Sequence, residues 1–293
     1  MGLWRVRLSQ KSQISEFSHI DLVAKWRILT HALPILSSLS HSLVVCSQSK
    51  FMESYFGSHK ENIFTNVSTM IYVFDLNSAD EELDYADYKK CVEYLKECSR
   101  NAQIFCLFHK LDLIPADQRE RLVEYKRQHV QKLSDPFKIV AFGTSIWHDS
   151  LYRAWSTIVY TLIPNSSLIT EHLQHFADSC EVEEVVLFEK ATFLDVAHAS
   201  HSSISRFEFK DPHRFEKMSN VVKMFKLSCA RAAGSSVHSI ELHNSDFDAF
   251  VYEFTNTTYI MVIVSDPEVK PAVTLMNIGL ARPHFERLLK PNI

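Results

Sequence analysis

Three short apolar runs recur in the first half of the chain, each followed by a polar, helix-patterned stretch. Met70–Leu76 (MIYVFDL) is uninterrupted and apolar, as expected for a strand buried on both faces. Ser-Ala-Asp-Glu follows at 78–81 and fits a capping box, in which Ser78 would accept an N–H three residues on and Glu81 would reach back. Tyr88, Cys91, Val92, Leu95 and Cys98 then recur at helical spacing. Acids crowd the start of this helix, while Lys96 and Arg100 sit at its end, which suits the macrodipole. Ile104–Phe108 (IFCLF) is the next strand, and a charged helical stretch follows it. Its EYKRQHVQK portion reads as a solvated basic face. Phe137–Ser145 (FKIVAFGTS) is a third strand. Asp149 can cap a helix carrying Leu151, Ala154, Trp155, Ile158 and Leu162, which Pro164 stops. Strands alternating with helices predict a parallel sheet with right-handed crossovers.

The pattern changes near 164–168. A helix (LITEHLQHFADS) leads to two strands, EEVVLFEK and TFLDVAHA, and then to a helix with Phe215, Met218, Val222, Phe225 and Cys229 on one stripe. That stripe reads as core, with part of it available to a partner. Three strands (SVHSIELH, FDAFVYEF, TYIMVIVS) and a helix from about Pro271 to Leu289 complete the order α-β-β-α-β-β-β-α. Consecutive strands of this kind pair antiparallel. Residues 1–48 are Ser-rich and lack a clear period, and no stable fold is assigned to them.

Composition narrows the classes. Of 293 residues, 46% are hydrophobic and 12% aromatic, which is enough to build full cores. A formal net charge of -4 gives no electrostatic case for nucleic acid. No run of about 18 apolar residues is present, so no direct membrane insertion is expected. The six cysteines form no CxxC pair and read as reduced thiols of the cytoplasm. His198 and His201 lie three apart without a Cys or carboxylate at ligand spacing, so no metal site is assigned. No GxSxG elbow suggests a nucleophile, and no catalytic residue is assigned. The five glycines (2, 57, 143, 234 and 279) are scattered. A phosphate-cradling loop needs them clustered, so that backbone N–H groups can close round an anion; neither GxxxxGK[ST] nor GxGxxG occurs.

Chemistry concentrates where strands end, because open parallel sheets bind ligands beyond their carboxyl edges. His109-Lys110-Leu111-Asp112 ends one strand and Thr144-Ser145-Ile146 the next. A carboxylate such as Asp112 can accept two N–H bonds from a guanine edge, which adenine does not offer. A lysine stem lies flat on a purine while its ammonium reaches polar groups. Backbone N–H groups near Ser145 and Ile146 are candidates for the guanine O6.

These residues carry a resemblance. FMESYF, IYVFD, IFCLFHKLDL, DQR, TSIW, LYRAWSTIVYTLIPN, HRFEKMSNVVKMFKLSC, AFVYEFTNTTYIMVIVSDP and ARPHFERL look like the Rag/Gtr family of GTPases, its RagA/RagB-like branch, over about residues 50–289. The resemblance implies an α/β fold: the second half of a Ras-like parallel sheet, followed by a roadblock/longin-like α+β domain. It divides the chain into an unassigned segment 1–48, a truncated G domain 49–165 and a C-terminal dimerisation domain 166–293. His109, Lys110 and Asp112 match the family's guanine-specificity motif, and Ser145 and Ile146 match the motif that meets the base from the other side. Lys50–Phe56 (KFMESYF) matches the segment that follows the family's Asp-x-x-Gly-Gln switch. The text before it, SLSHSLVVCSQSK, carries neither that switch nor the phosphate loop nor the magnesium-ligating Thr. GTP or GDP is therefore implied as the ligand, with binding weak or absent in this chain, and Mg2+ coordination and hydrolysis are left in doubt. The resemblance further implies a RagC/RagD-like heterodimer partner and a lysosomal scaffold complex. It implies a relay of amino-acid sufficiency to the target-of-rapamycin kinase complex. The implied location is cytoplasmic, at the lysosomal membrane surface, with the nucleus as a second site. The alternative is a non-enzymatic dimerisation scaffold that cannot load GTP.

Overall fold

The computed structural model describes residues 4–6, 43–47, 64–163, 165–190, 192–203, 211, 213–233 and 238–289. The described residues form two compact units, one reaching Ala154 and the other starting at Trp155. Lys50–Phe56, Pro164 and the side chain of Cys229, all singled out above, lie outside the described residues.

The first unit is built on a five-stranded sheet in the order β1 (Trp4–Val6), β2 (Leu43–Ser47), β3 (Thr69–Asp75), β4 (Gln103–His109) and β5 (Ile139–Thr144). β2 to β5 run parallel, and β1 closes the β2 edge in antiparallel sense. Helices α1 (Glu81–Cys98) and α2 (Arg119–Ser134) connect β3 to β4 and β4 to β5, and α3 (Ser150–Leu162) follows β5.

β3 and β4 are apolar without alternation because both their faces are covered. Met70, Tyr72 and Phe74, with Ile104, Cys106 and Phe108, meet Tyr88, Cys91, Val92 and Leu95 of α1 and Val130 of α2. Ile71, Val73, Phe105 and Leu107 alternate onto the opposite face and are also buried. Tyr72 and Tyr88 meet edge to face at 5.0 Å, a geometry that adds about 0.5–1.5 kcal/mol to the burial itself. The Tyr88 hydroxyl lies 2.5 Å from Ser134 Oγ and the Tyr72 hydroxyl donates to Asp84 O at 3.3 Å, so both tyrosine tips in this core are satisfied.

Three local expectations are corrected. The N-cap of α1 is Asp80, whose carboxylate accepts from Leu83 N at 3.1 Å, while Ser78 Oγ instead receives Asp80 N at 3.3 Å. Serine and aspartate cap about equally well, so the backbone geometry, which starts the helix at Glu81, makes Asp80 the cap. The basic face of α2 is not wholly solvated: the Lys126 side chain is 10% exposed and its Nζ lies 2.6 Å from Glu81 of α1. Finally, part of the unassigned first segment joins the sheet. β2 pairs in register with β3 from Leu43↔Thr69 to Ser47↔Val73.

The second unit carries α4 (Ser166–Ser179), β6 (Glu184–Glu189), β7 (Asp195–Ser200), α5 (Arg214–Ala233), β8 (Ser239–His243), β9 (Asp248–Glu253), β10 (Thr258–Val264) and α6 (Pro271–Leu288). Its sheet runs β7-β6-β10-β9-β8 with every pair antiparallel. This is the α-β-β-α-β-β-β-α order expected of a roadblock-like domain. Phe215, Met218 and Val222 of α5 pack on one sheet face with Val186, Phe188, Val251 and Met261. The expected stripe breaks at Phe225, which is 47% exposed beside Val221 at 63% and Met224 at 66%. No described helix is long and apolar enough to cross a membrane.

Candidate functional site

The parallel register sets the site. Asp75, His109 and Thr144 are the last residues of β3, β4 and β5, and they lie side by side as one rung at the carboxyl edge. Three side-chain links lace this rim. Lys110 Nζ lies 2.5 Å from Asp75 Oδ2. His109 Nδ1 lies 3.0 Å from Thr144 Oγ1. Ser145 Oγ donates to Asp112 Oδ1 at 2.5 Å.

The backbone explains why these groups converge. Lys110 has φ 67 and ψ 35, the left-handed region that an L residue enters at a cost. This residue breaks the extended run at the end of β4. A 3₁₀ turn over Leu111–Leu113 then carries Asp112 back towards the neighbouring strand end. Arg119 pins the turn from outside, donating from Nε to Ile114 O at 2.8 Å and from Nη2 to Asp112 O at 3.3 Å. In the facing turn Ser145 is fully buried. Its hydroxyl accepts Trp147 N at 3.1 Å while donating to Asp112.

Electrostatics follow burial. His109 is 4% exposed. Burial pushes its imidazole below the ordinary range, and although Asp75 and Asp112 pull it back up, Lys110 adds to the fall. The neutral ring is thus a hydrogen-bonding strut between β4 and β5 and not a charge. Lys110 and Asp75 compensate each other at the half-buried edge, with side chains 33% and 27% exposed.

Of the five expected site residues, His109 ends β4 and the other four lie in these two turns, and the structure joins Asp112 to Ser145 directly. Ile146 is half-buried in the second turn. One detail differs from expectation: Ser145 N is already engaged by Ser150 Oγ at 3.0 Å, so this N–H is not a spare donor for a base. Asp75 and Ser150 were not singled out from the sequence, and Thr144 was named only as the first residue of its strand-end stretch. Asp75 ends an apolar run just as His109 ends the next, and that shared signal marks it. A cleft of about 480 Å³ lined by Leu111, Val123 and Gly143 adjoins the first turn. Among the described residues no group of three or more His, Cys, Asp or Glu is arranged to hold a metal ion.

Comparison with known proteins places the chain. The Gtr1/RagA G protein conserved region matches residues 14–222, which includes the stretch before Phe51 where no family motif was read. Ras-related GTP-binding protein A of Dictyostelium discoideum is 46% identical over 242 residues, covering 83% of this chain and 78% of that protein. Ras-related GTP-binding protein B of Rattus norvegicus is 44% identical over 285 residues, covering 96% and 75% respectively. GTP-binding protein gtr1 of Schizosaccharomyces pombe is 43% identical over 239 residues, covering 82% and 76%. Among solved structures, the gliding protein mglB of Thermus thermophilus aligns with a TM-score of 0.35 and 10% identity, over 42% of this chain and 88% of that one. On the extent of the family match and these identities, the chain belongs to the Gtr1/RagA G protein family.

Proposed function

We propose that this chain is a Rag-type signalling subunit whose β4–β5 rim takes the guanine of GTP or GDP. The observation that carries the reading is the Asp112 carboxylate, held by Ser145 at the carboxyl edge of two adjacent parallel strands. A carboxylate fixed there accepts the N1–H and exocyclic amine of guanine, and adenine presents no such pair. Lys110 supplies its stem for one face of the base, and Ile146 lines the second turn. In this reading His109 does not touch the base: it sets the spacing of the two turns through Thr144.

The finer scheme is that this subunit pairs with a RagC/RagD-like chain through its second unit, docks on a lysosomal scaffold from the cytoplasm, and relays amino-acid sufficiency to the target-of-rapamycin kinase complex. The exposed Val221, Met224 and Phe225 on α5 support a protein-facing surface in that unit. The similarity of yeast GTP-binding protein GTR2, 27% identical over 135 residues, alongside GTR1 is in keeping with a paired GTPase arrangement.

A second reading is favoured by one observation: five scattered glycines form no phosphate loop. Phosphoryl transfer depends on positioning and charge stabilisation by that loop, its Lys and Mg2+. On this reading the chain is a dimerisation scaffold that does not load GTP. Titration of the full chain with GTP and Mg2+ separates the two, since submicromolar affinity excludes the scaffold reading. Asp112→Ala should abolish preference for GTP over ATP, and an unchanged ratio would remove Asp112 from the site.

A further inference from the structure

In the second unit α4 and α6 lie side by side, and each brings a histidine to the other. The rings of His172 and His284 stand edge to face, with centroids 4.5 Å apart and planes at 69°. The edge of one ring thus meets the π face of the other, the arrangement aromatic pairs prefer. His284 Nε2 is buried and has no hydrogen-bond partner among the described residues. The charges that act on His284 are both positive: those of His172 and of Arg287, one turn along α6. Arg282, on the same helix, donates to Glu253 O at 2.5 Å. Glu286, two residues on from His284, projects to roughly the other side of the helix. On α4, Glu171 lies 4.0 Å from His175 Nε2, and the His175 ring stands 6.3 Å from that of His172. Burial holds the His284 imidazole below its ordinary range, and His172 and Arg287 add to the fall.

We infer that the His172–His284 contact is an acid-sensitive clasp between α4 and α6, closed while the pair carries at most one proton and released when both rings are charged. Two imidazolium ions in ring contact repel, and Arg287 adds a third cation. The buried Nε2 must then carry an N–H that nothing receives. The clasp is held by the neutral state, so it is silent above the ordinary histidine value of 6.5 and weakens as pH falls below it. What it guards is the end of α6. Phe285, next to His284, is 2% exposed, and its ring lies 5.2 Å from that of Phe254. Beyond it, Asn165 Nδ2 donates to Leu288 O across a long 3.4 Å. Release therefore loosens the last turns of α6, while the sheet, whose β10 is buried along its whole length, stays closed.

The test follows amide hydrogen exchange in the full chain at about pH 7.5 and about pH 5, compared as protection factors so that the intrinsic effect of pH cancels. Acidification should lower protection in the second half of α6 about tenfold, the size expected of like charges a few ångströms apart near a surface, while β10 keeps its protection. His172→Phe preserves the ring contact and takes no proton, so it should remove most of that loss. His172→Lys sets a lasting charge against His284 and should loosen α6 already at about pH 7.5. Protection of β10 reports that each variant is folded. Should the larger ring of His172→Phe disturb β10, His172→Gln, uncharged and smaller, carries the same comparison. An equal acid-induced loss in the wild type and in the uncharged variant would overturn the clasp. So would wild-type protection of α6 in His172→Lys at about pH 7.5. A loss that reached β10 equally would overturn it too, because the whole unit would then be opening.

Discussion

Ser145 Oγ and Asp112 Oδ1, 33 positions apart in sequence, share a 2.5 Å hydrogen bond that ties the turn after β5 to the turn after β4. Removing the hydroxyl leaves Asp112 without the donor that aims it. Ser145→Ala should lower stability by about 1.5–3 kcal/mol, the range for a hydrogen bond to a charged group. Urea denaturation measures this. Guanine-nucleotide affinity should fall with it, and Ser145→Thr, which keeps the hydroxyl, should retain more of both.

His109 gives the rim a pH dependence. Burial holds its folded-state pKa below the ordinary value of 6.5. Above both values the ring is neutral in the folded and unfolded chains, and no difference arises. As pH falls below about 6.5 the unfolded chain takes up the proton first, so stability declines until the folded value is passed. Comparison with His109→Gln isolates this histidine from the fourteen others in the chain. The gap in melting temperature between wild type and His109→Gln should stay constant above neutrality and shift against the wild type on acidification towards pH 5.

Lys110 and Asp75 form an ion pair at a half-buried edge. A double-mutant cycle with Lys110→Ala and Asp75→Ala should give a coupling of about 1 kcal/mol, the top of the range for exposed pairs. Added salt should reduce it. A coupling near zero would show that Lys110 needs no partner at this edge.

Gly143 is the residue before Thr144, and its tolerance is limited by volume. A Cβ there would come within 2.8 Å of Val123 Cγ2 and 2.9 Å of Leu111 Cδ2. Leu111 can swing, but it is the residue before Asp112. Gly143→Ala should cost about 1–3 kcal/mol through overpacking. It should also weaken guanine-nucleotide binding through the displaced turn, and isothermal titration would report that loss.

The α5 surface makes a separate prediction. Asp in place of Val221 or Met224 should change the melting temperature of the chain little, because both residues are more than half exposed. Co-purification with a RagC-like chain should drop sharply. Undiminished pairing would place the partner surface elsewhere.

Much of this fold was legible because its strands are either continuous apolar runs or alternating ones, and its helices repeat at 3.6. β3, β4 and β5, and the whole order of the second unit, follow from that pattern. β2 escaped notice because Leu43–Ser47 is a short run inside a Ser-rich stretch, and its pairing with β3 is non-local. Ser78 and Asp80 are both good caps, and only backbone geometry chooses between them. Phe225 keeps helical spacing with Val222, yet it is 47% exposed and stands outside the cluster that Val222 joins. At the site, the base-reading residues were visible as a motif, whereas Asp75 and Ser150 were not, and Thr144 was named without its link to His109. Thr144 and Ser150 matter through register and turn geometry, which local composition does not encode.

The left-handed Lys110 has a wider consequence. By turning the chain at the end of β4 it helps bring together a rim whose four described bonds join residues between 75 and 150. The rim is thus self-bracing. None of these bonds uses a residue ahead of β3, so the links between the two turns are set by the stretch from Asp75 to Ser150 itself.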